Sequence, residues 1–574
     1  MSLRKPHLLE TVFGLTVFSL YLATLSPSIR FWDSAELTAA AATLGIPHPP
    51  GAPLYVLLGR YFTILTFLPA PIAVNLLSAF CAALSAVLTI YIFRYASNKS
   101  GAGGAYFAAA IMAWGGLLWI QAVRAEVYAP ALLFLEIALL AALRFRRTSE
   151  IRFALIAAYA WVLAGGIHPV IAMSGLLPIL VIAAEKGNLL KLDRKSLFLF
   201  LPVCLIALSI YLYLPLRGAQ NPPLKWGAPE TISGFLEMVT AREFAFSVSL
   251  GSLTELQTRF STFWRSISGN FPLPIMLFVV AGLLRRLRFW QILLFSGGLA
   301  AVFLRQGLPH PDYAGYVLPA ALALALWAGD GFEGLLQGIG KIFTVSRNFT
   351  FILGLIVFLI LIVPLFLVQF PRNNLYGNRW AEKLGRDILQ PLPDSSLVLF
   401  DDVSSYFICQ YLQTVESLRC DCALIQPYAL DADSRSRKWY SAQLQSQGGI
   451  AGLNNLPASE YEIVGRLIEA NSPVKPLFCE YGDAFRPFRN YLAPQGILYR
   501  IVIRGSLPPH QPYDYPPPDS FKFDCEASLA FAERIFARGL FYYDIGDSTA
   551  ASDFFRKAAS YQKTEPTSIS PPVH

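Results

Sequence analysis

Over its first two thirds the chain sets long apolar runs against short charged segments, and then it changes character. Runs of about 20 apolar residues are the length that crosses a bilayer as a helix, and about eleven of them are present. They fall near 8–26, 72–93, 104–120, 128–143, 153–167, 169–184, 197–216, 271–284, 290–304, 314–330 and 350–370. Two longer polar stretches, 27–71 and 217–270, read as loops on the outer side. Beyond residue 370 the pattern is mixed. Ser396–Phe400, followed by Asp401 and Asp402, reads as a buried strand ending in acids, and 496–503 as a closing strand. Residues 508–518 form a proline-rich linker. Residues 524–563 read as helical, with Gly539, Tyr542, Gly546, Ala551, Phe555 and Ala558 at the spacing of one tetratricopeptide-like unit. A single unit cannot bury both faces, so it is expected to pack on its neighbour or to dock a protein. The expected order is a polytopic α-helical membrane domain (1–370), a soluble α/β module (371–505), and a linker with a helical tail (506–574).

Composition agrees with this division. Of 574 residues, 55% are hydrophobic and only 15% charged, and the mean hydropathy is +0.47. That balance excludes an ordinary soluble enzyme, a disordered chain and a fibrous one. The first 370 residues hold 26 basic and 15 acidic residues, the remainder 20 and 23. Placing the N-terminus in the cytoplasm puts 17 of those 26 basic residues on the inside, which sets residues 371–574 outside. Arg4 and Lys5 precede an apolar stretch with no clear cleavage site, so the first run reads as a retained span. No basic-aromatic stripe points to nucleic acid. No G-x-x-x-x-G-K-[ST] loop points to ATP-driven transport. Five of the seven cysteines lie in the outer part, with their pairing left open, and Cys420-Asp421-Cys422 lacks zinc-knuckle spacing.

The densest chemistry follows the first span. Phe31-Trp32-Asp33-Ser34-Ala35-Glu36-Leu37 leads to Gly45-Ile46-Pro47-His48-Pro49-Pro50-Gly51. Asp33 and Glu36, three apart, share one face of a helix. Asp33 or Ser34 as the cap of a helix from Ala35 would account for one acid. It does not account for Trp32, His48 and a loop stiffened by prolines, a setting suited to fixing ionisable groups.

These motifs resemble a transmembrane family related to the protein O-mannosyltransferases, with animal members that mannosylate plexin-type receptor domains and many bacterial ones. The resemblance continues through Glu126-Val127-Tyr128, Gly165-Gly166-Ile167-His168, Tyr213-Leu214-Pro215-Leu216-Arg217, Pro223-Leu224-Lys225-Trp226-Gly227 and Asp312-Tyr313. It implies a GT-C-type glycosyltransferase in a membrane, here a bacterial inner membrane. The implied donor is a polyprenyl-phosphate sugar, mannose by analogy, and the implied acceptor a Ser or Thr hydroxyl. An acid in the first outer loop is the family's catalytic residue, which maps to Asp33 with Glu36 as its neighbour.

The chemistry of these residues is compatible with that assignment. A carboxylate must take the hydroxyl proton as it attacks the anomeric carbon, a role for Asp33. The leaving lipid phosphate needs cations, and Arg124, Arg217 and Arg305 face outward; Arg30 is a further candidate or a headgroup anchor. Glu126, His48, His168, Trp226 and Asp312 can meet the sugar. Each also has a plainer reading: Glu126 paired with Arg124, His168 satisfying a broken backbone, Arg217 and Trp226 anchoring at the interface. Glu136 lies inside a span and needs a partner. His310-Pro311-Asp312 falls short of a metal site. Asp431-Ala432-Asp433 reads as a solvated turn, with a nucleotide-sugar site as a minor alternative. No metal and no cofactor is expected; the lipid-linked donor is a co-substrate. The expected partners are that donor, membrane lipid, and a protein or glycan acceptor, with the C-terminal helices as a further protein dock. The competing readings are transfer to a lipid-linked glycan or envelope polymer, a lipid-sugar flippase, and a non-catalytic assembly protein.

Overall fold

The computed structural model describes residues 8–97, 102–187, 193–243, 251–303, 313–342, 346–432 and 434–562. The chain divides into two units. One comprises Met1–Ser26, Pro50–Leu216 and Phe244–Gly377; the other comprises Pro27–Pro49, Arg217–Glu243 and Asn378–His574.

The first unit is helical. Among the described residues, four helices are long and apolar enough to cross a membrane: Ala70–Ala96, Tyr128–Thr148, Phe198–Gly218 and Asn348–Asn373. Two bent helix pairs pass the same test only when taken together, Ala102–Trp114 with Gly116–Ala122 at 56°, and Leu253–Asn270 with Leu273–Arg285 at 98°. Four shorter apolar helices accompany them: Leu8–Ala23, Ile151–Gly165, Pro169–Ala184 and Phe289–Phe303. Ala70–Ala96 and Tyr128–Thr148 are largely buried, whereas Asn348–Asn373 leaves Phe351, Ile360 and Leu367 mostly exposed. An apolar face of that extent suits lipid, not water. Small residues let the inner helices approach: a Cβ on Gly104 would lie 2.3 Å from the Gly329 carbonyl oxygen.

Several charges within this unit are paired. Arg94 meets Glu10, Arg146 meets Glu185 at 2.8 Å, and Arg288 meets Asp330 at 2.5 Å. Glu136 accepts from the Thr89 hydroxyl at 3.0 Å. Together with this membrane helix set, the chain is an integral membrane protein.

The stretches read as outer loops are partly helical. Asp33–Thr43 and Pro53–Thr66 lie in the first, and Ile232–Val239 and Leu253–Asn270 in the second. Proline hid one of them: Pro53 opens its helix at the first turn, where the missing N–H costs nothing.

The second unit is built on a five-stranded sheet. In chain order the strands are β1 (Leu397–Leu399), β2 (Ala423–Ile425), β3 (Leu477–Cys479), β4 (Leu492–Gln495) and β5 (Leu498–Ile501). Their spatial order is β2-β1-β3-β5-β4. Strand β1 pairs in parallel with β2 and β3; β5 runs antiparallel to β3 and β4. The strand read as closing is therefore an inner one, and β4 takes the edge. Leu397, Leu399, Ile425, Leu477, Cys479 and Ile501 form a core with Ile463, Val464 and Leu467 of helix Glu460–Asn471.

The tail is a helical pair, Cys525–Asp544 and Ser548–Gln562, packed on this sheet. The Phe541 ring lies 4.8 Å from that of Tyr499, and the Arg538 guanidinium 4.5 Å over the same tyrosine. Arg486 holds Asp544 through two bonds of 2.8 Å. Asp402 caps helix Val403–Thr414 and accepts from Arg534 at 2.6 Å. Asp402, one of the acids after β1, thus joins the sheet to the tail.

Candidate active site

The second unit gathers the motif after the first span. Its helix runs Asp33–Thr43 and ends at Leu44 in the left-handed conformation. Gly45 follows, where a Cβ would stand 2.8 Å from the Leu224 carbonyl oxygen. That close approach lets the two loops pair as a short bridge. Ile46 N–H donates to Leu224 O and Trp226 N–H to Ile46 O, both at 2.9 Å. Trp226 is thereby brought beside His48, with ring centroids 6.4 Å apart.

Helix formation starts at Asp33, with Trp32 in the N-cap position and no side-chain cap. The capping role considered for Asp33 or Ser34 is therefore not the one adopted; the Ser34 hydroxyl accepts from Arg30 N–H at 3.3 Å. Trp32 has φ +58°, an uncommon conformation for a bulky residue that costs about 1–3 kcal/mol. Such strain persists only where neighbours impose it.

Glu36 is 1% exposed, whereas Asp33 and His48 are each 25% exposed. The Glu36 carboxylate accepts the His48 backbone N–H at 2.8 Å and meets His48 Nδ1 at 2.5 Å. His48 Nε2 lies 3.7 Å from Asp33 Oδ2. The buried acid fixes the imidazole, and the imidazole faces the accessible acid. Ligand atoms of these three residues all lie within 4.8 Å of one another, a grouping able to hold a metal ion.

Residues remote in sequence complete the surroundings. The Trp226 indole N–H donates to Glu243 at 2.8 Å. Burial raises the Glu243 carboxyl above its usual range, against the opposing pull of Trp226, Ser436, His48 and Arg435. Trp439 and Phe407 bring their rings to 5.5 and 6.2 Å from Trp226. Arg217 lies at the other end of the Asp33 helix. Its Nε and Nη2 donate to the carbonyls of Leu44 and Thr43 at 2.6 and 3.0 Å. It serves there as a cationic helix stop.

The first unit holds the other candidates. Arg124 and Glu126 are both buried and pair at 3.3 Å. His168 caps helix Pro169–Ala184, its Nδ1 accepting from Ile171 N–H at 3.3 Å. Its ring lies 5.0 Å from Tyr128 and 5.3 Å from Tyr316. Asp312, Arg305, His310 and Asp433 lie outside the described residues. Arg30, a phosphate candidate by sequence, is buried and bonded to Asp524 and Glu526.

Sequence reasoning did not single out Glu243, Trp439 or Phe407. No local pattern marks them, because their neighbours in space are far away in the chain.

Residues 33–188 match the family described as the protein O-mannosyl-transferase TMEM260 N-terminal domain. The matched stretch starts at Asp33 and contains Glu36, His48, Arg124, Glu126 and His168. Protein O-mannosyl-transferase TMEM260 of Mus musculus is 25% identical over 455 residues, which are 74% of this chain and 62% of the mouse protein. The chain thus spans under two thirds of that relative's length. Among solved structures, ArnT from Cupriavidus metallidurans, bound to undecaprenyl phosphate, is similar at a TM-score of 0.52 and 13% identity, covering 87% of this chain and 99% of that one. The chain has a GT-C-type membrane fold and resembles, over residues 33–188, the N-terminal domain of the TMEM260 protein O-mannosyl-transferases.

Proposed function

We propose that this protein is a glycosyltransferase that moves a sugar, mannose by analogy with its relative, from a polyprenyl phosphate to a Ser or Thr hydroxyl of a protein. The observation that carries this reading is the arrangement of Asp33, a partly accessible carboxylate, before an imidazole that Glu36 holds in place. The mouse relative's name and the lipid phosphate in the ArnT structure support the acceptor and donor classes.

In this account Asp33 takes the acceptor hydroxyl proton as that oxygen attacks the anomeric carbon and the bond to phosphate breaks. In the same account His48 donates its Nδ1 hydrogen to Glu36, and its Nε2, 3.7 Å from Asp33 Oδ2, takes the proton onward. The partly exposed face of Trp226 offers a surface for a sugar ring. Arg124, paired with Glu126, is the cation proposed for the lipid phosphate, and His168 and Asp312 are proposed to contact substrate. The site works on the extracytoplasmic face, with the N-terminus in the cytoplasm, in accord with the distribution of basic residues.

The test is sugar transfer in membrane vesicles from labelled polyprenyl-phosphate mannose. Label on protein supports the reading. Label on lipid or glycan moves the acceptor to a lipid-linked glycan or polymer. No label with any prenyl-linked sugar favours a flippase or an assembly protein.

A further inference from the structure

The segment that delivers Asp33 is held by the far end of the chain. Arg30 is 1% exposed. Its Nη1 and Nη2 donate to the two oxygens of Asp524 at 2.8 and 2.6 Å. Its Nε and Nη2 also donate to Oε2 of Glu526, at 3.1 and 2.6 Å. Asp524 accepts as well from the Ala527 N–H at 3.1 Å, as the cap of helix Cys525–Asp544. The next residue, Phe31, is fully buried and meets Phe531 of that helix edge-on at 6.5 Å. Trp32 N–H donates to the Ser404 hydroxyl at 2.8 Å. Three consecutive residues before Asp33 are therefore each tied to the sheet unit or its tail.

This pattern fits a positioning device. A buried guanidinium is tolerated only with good partners, and its planar fork can satisfy two carboxylates where an ammonium cannot. The residue that follows the anchored pair, Trp32, adopts its positive φ immediately before Asp33. Such a conformation needs fixed neighbours on both sides.

We propose that Arg30, Asp524 and Glu526 form a clamp through which the helix Cys525–Asp544 sets the position of Asp33 for transfer. The tail then acts on the chemical step and not as an acceptor dock. The role assigned to the clamp rests on the reading of Asp33 as the base.

The test uses the full chain in lipid nanodiscs with Arg30→Gln, Arg30→Lys and Asp524→Asn. Transfer is resolved into kcat and KM, and hydrogen exchange is followed over residues 33–43 and over β1 and β3. Arg30→Gln is expected to lower kcat about 100-fold, the effect of a small misplacement of a reacting group, with both KM values unchanged. Exchange should quicken in 33–43 and stay unchanged in β1 and β3, and Arg30→Lys should recover part of kcat. If Arg30→Gln loses the protection of the sheet itself, Asp524→Asn, equal in size and still able to cap, gives the deciding values. Unchanged exchange in 33–43 overturns the clamp. So does faster exchange with unchanged kcat, or an acceptor KM that rises while kcat holds. A wild-type chain that transfers no sugar refutes the function proposed above, and the exchange data still decide whether Arg30 holds the helix.

Discussion

His48 Nδ1 lies 2.5 Å from Glu36 Oε2, and the other Glu36 oxygen accepts the His48 backbone N–H at 2.8 Å. One buried carboxylate thus fixes both the main chain and the ring of a residue in the next loop. The i, i+3 spacing of Asp33 and Glu36 suggests two equivalent acids on one face. The structure separates them into an accessible acid and a buried support. Glu36→Ala would leave two donors without their acceptor, each costing about 1–3 kcal/mol. Transfer should fall about 100-fold through misplacement of His48, with Glu36→Gln milder because its carbonyl still accepts. Equal activity in wild type and Glu36→Ala would remove His48 from the mechanism.

The same three side chains offer ligand atoms within 4.8 Å of one another. A proton relay and a metal centre make opposite demands. Under the relay, transfer persists at the same rate after treatment with EDTA. Loss of activity that a divalent ion restores would turn the trio into a metal site.

Arg217 donates to the final carbonyls of the Asp33 helix. Arg217→Gln should therefore lower thermal stability by about 1 kcal/mol, the usual scale for a cation at a helix end, with the donor KM unchanged. A donor KM that rises at unaltered stability would restore Arg217 as a phosphate ligand.

Glu460, at the start of its helix, has its carboxyl pushed up to about 7, first by burial and then by the negative charges of Asp401, Asp431 and Asp483. The native state therefore favours the protonated form. That contribution is complete below the ordinary glutamate value of 4.5 and is lost as pH rises through about 7. The melting temperature of the purified protein, followed by tryptophan fluorescence, should fall as pH rises through this window. Glu460→Gln should reduce the fall. An identical slope in the variant would contradict the assignment.

What the sequence revealed follows the range of each signal. Apolar runs mark helices because burial in lipid is a property of some twenty consecutive residues. Asp33, Glu36 and His48 stand out together because they lie within one loop and the helix before it. His168, beside Pro169, reads as satisfying a broken backbone, and the structure gives that role its form as the cap of the helix that Pro169 opens. Arg30 was misread, since a lone arginine beside a span looks like a headgroup anchor, and its carboxylate partners lie at 524 and 526. Glu243 and Trp439 carry no pattern of their own; both meet Trp226, which the pairing of two distant loops positions. The helices at 53–66 and 232–239 were missed because both are shorter than the run of about 20 apolar residues that marks a span, and both lie within stretches read as loops.

The most direct measurement is transfer of labelled mannose from polyprenyl phosphate by membrane vesicles, wild type against Asp33→Asn. The amide matches the acid in size and cannot take a proton. The account predicts label on protein with the wild type and a loss of about 100-fold or more in the variant, with expression unchanged. Equal labelling by the two proteins would contradict it.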